Sequence, residues 1–163
     1  MSSQAMSTGM QRTWPSWAIA IAAVALVMGV GAAFPPDDWY ASLVKPTWQP
    51  PDWAFAPVWT TIYAALGAAL ALLLNAPPSQ ERTLALGTFG LQLLLNAAWT
   101  PLFFGLNSTL LAFVDVICLW IAALSSAVFA LAVRPASAWL QLPNLLWVSF
   151  ALVLNGVILA LNW

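Results

Sequence analysis

Polar and aromatic side chains recur at spacings of three and four residues inside four strongly apolar stretches, which places each set on one face of a helix. The faces consist of Phe55, Trp59 and Tyr63; of Thr88, Gln92, Asn96, Trp99 and Phe103; of Asp115, Leu119, Ala122 and Ser126; and of Asn144, Trp147, Ala151 and Asn155. Indoles and amides can stack on and hydrogen-bond to a flat hydrophobic ligand, but amides in lipid also join helices. Each amide alone favours helix joining, whereas the whole set, interleaved with tryptophan, predicts a pocket.

The residue types exclude several kinds of catalytic chemistry. The chain has no histidine and one cysteine, Cys118, so it can build no internal disulfide, no soft-metal cluster and no imidazole triad. No metal site is therefore predicted, and Cys118 is interpreted as a small packing residue. Asp115 is the only acid deep inside an apolar stretch. Two roles stay open for it: a structural acceptor, or a group that orients a ligand or carries a proton.

The composition indicates the solvent in which these faces fold. Of 163 residues, 63% are hydrophobic and 6% are charged, and the mean hydropathy is +0.88. A soluble domain usually has about 25% charged residues, so we predict an integral membrane protein in a lipid bilayer. Four basic residues and a net charge of −1 form no surface for a phosphate backbone, which argues against nucleic-acid binding.

Five stretches are long enough to cross a membrane, since a spanning helix needs about 20 apolar residues. They comprise residues 17–34, 53–74, 83–104, 109–133 and 139–163. We therefore predict an all-α fold, a membrane bundle of five transmembrane helices over residues 17–163, preceded by a disordered tail over residues 1–16. Alternatively, Arg12 and the small residues that end the first stretch mark it as a signal peptide, which would leave four helices.

The longest connection, residues 35–52, reads PPDDWYASLVKPTWQPPD. Its prolines restrict the backbone and its aromatic residues favour the membrane interface, which is consistent with a stiff interfacial loop. It is also far longer than two antiparallel helices need, so we predict that it lies across the mouth of the bundle as a lid. Most polar groups of the four faces fall within about 15 Å of the same end of their helices. The pocket is therefore predicted beneath this lid loop.

The remaining charged and small residues bear on orientation and assembly. Arg12, Arg82 and Arg134 fall on the N-terminal side of a five-helix bundle, opposite the acidic lid loop. Because positively charged loops face the cytoplasm, we expect a cytoplasmic N-terminus, in a bacterial cell membrane. Small residues such as Gly67 and Gly87 allow close helix approach, either within one monomer or at a dimer seam.

Three runs of the sequence resemble a known family. They are WYASLVKPTWQPPDWAFAPVWTTIYAALGAA, LQLLLNAAWTPLFFG and LPNLLWVSFALVLNGVILALN. Together they resemble the TspO family of translocator proteins, also called tryptophan-rich sensory proteins or peripheral-type benzodiazepine receptors. The likeness covers about residues 34–163, in order and with matching spacing. It implies a five-helix bundle, usually a homodimer, that binds porphyrins, sterols and isoquinoline carboxamides beneath the first loop.

The resemblance also implies roles for individual residues. The family's pocket positions correspond here to Tyr40, Pro50, Trp59, Tyr63, Asn96, Trp99, Trp147 and Ala151. Trp59 and Trp147 match tryptophans that are linked in bacterial relatives to light-dependent porphyrin breakdown. Many relatives have LPY where this chain has LPN at residues 142–144. The resemblance therefore implies no ligand contact by a tyrosine ring at position 144 of this chain. Haem, if bound, would lack imidazole ligation.

We therefore predict a membrane receptor or sensor that binds porphyrins and other hydrophobic ligands such as sterols, with no required cofactor. The predicted ligand-binding residues are Tyr40, Pro50, Trp59, Tyr63, Gln92, Asn96, Trp99, Asp115, Trp147, Ala151 and Asn155. Two alternatives stay open: a slow light- and oxygen-dependent porphyrin-degrading enzyme that uses Trp59 and Trp147, and a transporter of tetrapyrroles or lipids. No acid–base or metal constellation favours ordinary turnover, and no internal repeat or interrupted midplane helix favours coupled transport.

Overall fold

A computed structural model describes residues 13–163, and this part of the chain contains helices and no strand. The helices are α1 (Thr13–Ala32), α2 (Asp38–Ser42), α3 (Phe55–Leu74), α4 (Gln80–Thr100), α5 (Thr109–Val133) and α6 (Pro135–Leu161). A 3₁₀ turn, Asp52–Ala54, precedes α3, and a π-helical segment, Pro101–Gly105, extends α4. The predicted all-α class is confirmed.

Local sequence accounts for where three of the long helices begin. Ser79 Oγ accepts a hydrogen bond from the Arg82 amide at 3.1 Å, which caps α4. Ser108 Oγ accepts one from the Leu111 amide at 3.2 Å, which caps α5. Each such cap stabilises a helix by about 1 kcal/mol. Helix α6 begins at Pro135, where the missing N–H costs no helical hydrogen bond.

The predicted boundaries need three corrections. The tail prediction extends too far, because residues 13–16 form the first turn of α1 and Ser16 Oγ donates a 3.0 Å hydrogen bond to Asn75 Oδ1. Residues 1–12, on which the rest of that prediction falls, lie outside the described part. Helices α4 and α6 begin three and four residues before the predicted spans, at Gln80 and Pro135, because polar and capping residues extend a helix beyond its apolar stretch. The lid loop, predicted as one connection over residues 35–52, also contains a short helix, α2.

Within residues 13–163, four helices are both long and apolar enough to cross a membrane: Trp14–Ala32, Asp52–Leu74, Thr109–Val133 and Pro135–Leu161. Helix α4 is long but more polar, because it carries buried Gln92 and Asn96 and a polar first turn. Its 21 residues extend about 31 Å, close to the thickness of a bilayer's hydrocarbon core. The chain is a multi-pass membrane protein. The predicted count of five spanning helices is slightly off, because the described residues form six helices, of which four meet both the length and the hydropathy expected of a span.

The five long helices form a ring in the order α1, α3, α6, α5, α4, with α4 again beside α1. Helices α3 and α4 follow each other in the chain but touch only weakly. Because successive long helices run in opposite directions, the ends of α1, α4 and α6 meet the beginnings of α3 and α5 at the lid. The ring therefore surrounds one interior space at its lid end.

Helix α1 is packed into this ring. It buries Ala20, Val24 and Val27, and a Cβ added at Gly67 of α3 would lie 3.6 Å from Val24 Cγ2. The contact at Gly67 thus serves packing within the monomer. Helix α1 therefore contributes to the same bundle as the other long helices.

Buried amides cross the interior of the ring at the end away from the lid. Gln92 Nε2 of α4 donates to Gln141 Oε1 of α6 at 3.0 Å, and Asn144 Nδ2 donates to Gln92 Oε1 at 3.1 Å. Ser137 Oγ donates to the Ala69 carbonyl at 2.9 Å, which joins α6 to α3. Helices α4 and α6 are not neighbours in the ring, so these hydrogen bonds cross its interior. We call Gln92, Gln141 and Asn144 the amide bridge, and it closes the interior space below the lid end.

Candidate ligand-binding cavity

A cavity of about 600 Å³ lies at the lid end of the ring, where the sequence predicts a pocket. All five long helices and the lid loop contribute to its wall. Eight of the eleven predicted site residues line it: Tyr40, Trp59, Tyr63, Asn96, Trp99, Trp147, Ala151 and Asn155. The other three, Pro50, Gln92 and Asp115, do not line it.

Stacked and perpendicular aromatic rings make up much of the wall. Trp59 stacks on Tyr63, one helical turn away, with ring centroids 5.3 Å apart and planes inclined by 23°. Trp147 stands edge-on to Trp59 at 6.4 Å. On α4, Trp99 stacks on Phe103 at 5.0 Å with an angle of 14°. The cavity therefore presents both ring faces and ring edges to a flat ligand.

The π-helical end of α4 brings two consecutive side chains to the cavity. Phe103 and Phe104 both line it, and their ring centroids lie 4.9 Å apart. Pro101 has no N–H for the helical ladder, and the wider π turn changes the rotation of the residues that follow. Gly105 permits close packing here, since a Cβ at this position would lie 2.9 Å from Phe34 Cε1. The periodicity of α4 placed Phe103 on the cavity face but missed Phe104.

Amide groups form the polar part of the cavity wall. Tyr63 Oη donates to Asn96 Oδ1 at 3.2 Å, and Trp99 Nε1 donates to Asn155 Oδ1 at 3.2 Å. Asn155 Nδ2 donates to the Ala151 carbonyl at 2.8 Å. Asn96 Nδ2 is buried and has no hydrogen-bond partner among the described residues. The polar part of the wall thus includes one buried amide nitrogen whose hydrogen-bonding capacity is unused among the described residues.

Tyr40 is the centre of the lid's underside. Its ring packs edge-on against the phenylalanines of the π segment, and Gln49 Nε2 donates to its Oη at 2.9 Å. On its other side, the Lys45 ammonium lies 4.0 Å from the ring centroid. Burial, followed by the Asp52 carboxylate, raises the pKa of Tyr40, and the hydrogen bond from Gln49 opposes this shift. The phenol is therefore neutral at physiological pH.

The three predicted site residues that do not line the cavity lie elsewhere in the bundle and in the lid. Gln92 lies one helical turn farther from the lid than Asn96 and belongs to the amide bridge, so the helix-joining interpretation applies to it. Asp115 is 6% exposed, and its Oδ2 has no partner among the described residues. Its neighbour Val116 lines the cavity instead, because one residue of helix rotates a side chain by about 100°. Pro50 belongs to the lid but not to the wall.

The chemistry of the wall suits binding more than proton transfer. Of the described residues that line the cavity, Asp52 alone is charged. Within residues 13–163, no three His, Cys, Asp or Glu side chains are close enough to share a metal ion. Cys118 is exposed on the outside of the bundle, so its interpretation as a packing residue is wrong.

A known protein family matches almost the whole described part of the chain. A model of the TspO/MBR family matches residues 15–161, which include all parts of the cavity wall. The chain belongs to the TspO/MBR family. The resemblance seen in the sequence motifs is thereby confirmed, and the lid, ring and cavity described above are those of a TspO/MBR protein.

Individual TspO/MBR proteins are similar over most of their length. The chain is 45% identical to the tryptophan-rich protein TspO of Chlorobaculum tepidum over 130 residues, which cover 78% of this chain and 82% of the relative. It is 43% identical to the translocator protein of Ovis aries over 119 residues, 72% of this chain and 70% of the relative. It is 35% identical to the tryptophan-rich sensory protein of Cereibacter sphaeroides over 159 residues, 94% and 96% of the two chains.

Besides Phe104, the cavity wall of this TspO/MBR protein includes residues of α1 and of the lid that the sequence analysis did not predict. Helix α1 contributes Val27 and Met28, among others, but its stretch has no polar stripe that would mark an inward face. The lid contributes Gln49 and Asp52, which flank two prolines. The signal for the lid pair was present, since these are polar residues in the loop predicted to cover the pocket.

Proposed function

We propose that this TspO/MBR protein is a membrane receptor that binds porphyrins, or other flat hydrophobic ligands such as sterols, in the cavity beneath the lid. The single observation that carries the proposal is the meeting of two aromatic stacks, Trp59–Tyr63 and Trp99–Phe103, in one cavity of about 600 Å³. Relatives named as sensory and translocator proteins support a role in sensing or reception.

The size and polarity of the cavity support this class of ligand. Sites for small molecules have volumes of roughly 300–1,000 Å³, with mostly apolar walls and a few placed polar groups. A flat ring system gains from stacking on indole and phenol faces. Asn96 Nδ2, the buried amide nitrogen without a partner, would donate to an acceptor on the inner edge of the ligand.

Porphyrin breakdown in light is the second candidate function. It is favoured by the edge-on pair of Trp59 and Trp147, both of which line the cavity. An indole held against a photoexcited porphyrin can quench it by electron transfer, and oxygen would then be the oxidant. No cofactor is required for either function.

Titration of the purified protein with protoporphyrin IX, and separately with cholesterol, tests the proposal in darkness and in light. A receptor should show saturable quenching of tryptophan fluorescence, with porphyrin absorbance unchanged in both conditions. The enzyme should show light-dependent loss of porphyrin absorbance that requires oxygen and is lost in Trp59→Phe. Trp139→Phe, at an exposed position outside the cavity wall, is the matched control. Absence of saturable binding by either ligand would contradict the receptor proposal.

We also propose that the protein is a homodimer in a bacterial cell membrane with its N-terminus in the cytoplasm. Gly87 and Gly90 of α4 are exposed and have nothing within 4 Å of an added Cβ, which leaves room for a second copy. Arg82, in the first turn of α4, and Arg134, which directly precedes α6, lie at the end opposite the lid. Oxidative cross-linking of Gly87→Cys in a Cys118→Ala background should give a covalent dimer in intact membranes. A species that stays monomeric would count against this seam.

A further inference from the structure

The underside of the lid has a hydrogen-bond acceptor that lacks a donor within residues 13–163. Gln49 and Asp52 both line the cavity there. The amide nitrogen of Gln49 is used by Tyr40 Oη at 2.9 Å, and Gln49 Oε1 is left buried without a partner among the described residues. The Asp52 carboxylate, second to burial, raises the pKa of the Tyr40 phenol. This roof therefore contains a buried acceptor without a partner and a solvent-exposed negative charge.

No positive charge in the cavity wall balances that of Asp52. Among the described residues that line the cavity, Asp52 is the sole charged one. The basic residue of the lid, Lys45, lies with its ammonium against the Tyr40 ring and is not part of the wall. Tyr40 Oη accepts a hydrogen bond from Gln49 Nε2, so its own O–H can donate a hydrogen bond to a ligand. The roof thus fits a group that donates to Gln49 or Asp52 and accepts from Tyr40.

We propose that the roof formed by Tyr40, Gln49 and Asp52 selects ligands by the polar group at their outer end, accepting a hydroxyl or an amine and disfavouring an ionised carboxylate. The inference rests on the proposed function, because it defines the ligand class of the same cavity. A buried acceptor without a partner is costly until a donor meets it. Asp52 is solvent-exposed, so a second carboxylate beside it is repelled as in a high-dielectric medium.

The roof should distinguish sterols from porphyrins by their polar groups. An alcohol of the sterol type meets the roof with a group that both donates and accepts. A porphyrin with free carboxylates must direct them past the lid into water, and esterification removes that requirement. The roof thus favours neutral or cationic amphiphiles over anionic ones of the same shape.

The experiment uses two pairs of ligands that differ only in their polar end. The first pair is cholesterol and the same sterol without its hydroxyl; the second is protoporphyrin IX and its dimethyl ester. Affinities are measured on the full chain in phosphatidylcholine nanodiscs. We expect cholesterol to bind about tenfold more tightly than the sterol without a hydroxyl. Asp52→Asn should strengthen binding of the free-acid porphyrin by about fivefold, while the diester changes by less than about twofold.

Asp38→Asn is the matched control, because it removes the same charge from an exposed lid position outside the cavity wall. An equal gain for the free acid in Asp38→Asn and Asp52→Asn would overturn the proposal, since the general charge of the lid would then be responsible. An unchanged ratio of acid to ester in Asp52→Asn, or equal binding of the two sterols, would overturn it while leaving the receptor function intact. If none of the four ligands binds saturably, both proposals fail.

Discussion

Asn162 holds Val44 through both polar groups of that residue's backbone. Asn162 Oδ1 accepts a hydrogen bond from the Val44 amide at 2.9 Å, and Asn162 Nδ2 donates to the Val44 carbonyl, also at 2.9 Å. The same nitrogen donates to the Ile158 carbonyl at 2.8 Å, which fixes the side chain on its helix. The pair connects the middle of the lid to the C-terminal end of α6, 118 positions away. The lid thereby has a defined closed position over the cavity.

Replacement of Asn162 by Ala should loosen the lid. Loss of the two hydrogen bonds to Val44, together worth about 0.6–1.4 kcal/mol at this exposed site, should speed ligand dissociation by about three- to tenfold. Stopped-flow displacement of a bound porphyrin measures this rate, and hydrogen exchange at the Val44 amide should rise in parallel. Trp163→Phe, one residue further on, is the control. Dissociation as slow as in the unaltered protein would show that this pair does not control the lid.

Trp59→Phe and Trp147→Phe should each weaken porphyrin binding by about fivefold, because both indoles line the cavity and supply stacking area. Porphyrin-induced quenching of tryptophan fluorescence should shrink in both variants. Since the chain has eleven tryptophans, the signal is compared with that of Trp163→Phe, whose side chain is 89% exposed. Titration curves identical to the control would assign both residues to packing alone.

Gln92→Leu should destabilise the bundle more than it affects binding. The change removes both hydrogen bonds of the Gln92 amide, so Asn144 Nδ2 and Gln141 Oε1 lose these partners. We expect the free energy of unfolding to fall by about 1–3 kcal/mol. Thermal unfolding in detergent should shift to lower temperature. Gln80→Leu, an exposed amide at the start of the same helix, should unfold like the unaltered protein. Equal melting temperatures in the two variants would contradict a structural role of the amide bridge.

Asp115→Asn should leave porphyrin affinity within about twofold, because Asp115 is outside the cavity wall. Its stability should be equal or higher, since the substitution keeps the side-chain shape and removes a buried carboxylate whose Oδ2 has no partner among the described residues. Val116→Ala, at the neighbouring position that lines the cavity, should lower affinity instead. A tenfold loss in Asp115→Asn, about 1.4 kcal/mol, would mean that the carboxylate acts on the ligand.

Properties that depend on neighbouring residues in the chain were predictable from the sequence. The fourth apolar stretch, residues 109–133, agrees with α5 at both ends, because hydropathy and the Ser108 cap act locally. The four-residue spacings of Trp59 with Tyr63 and of Trp99 with Phe103 predicted shared faces, and the rings do stack. Helical periodicity is a property of one helix and needs no knowledge of its partners.

Only the tertiary structure decided which helices are neighbours and how each is rotated. Gln92 meets Gln141 across the ring because α4 and α6 face each other, which no spacing within either helix specifies. Val116 instead of Asp115 reaches the cavity, and Phe104 joins Phe103 through the π turn. These outcomes depend on how all five helices pack together, since the rotation of each is set by the combined contacts of its neighbours. A polar stripe identifies a face that avoids lipid, and packing determines whether it meets a ligand or another helix.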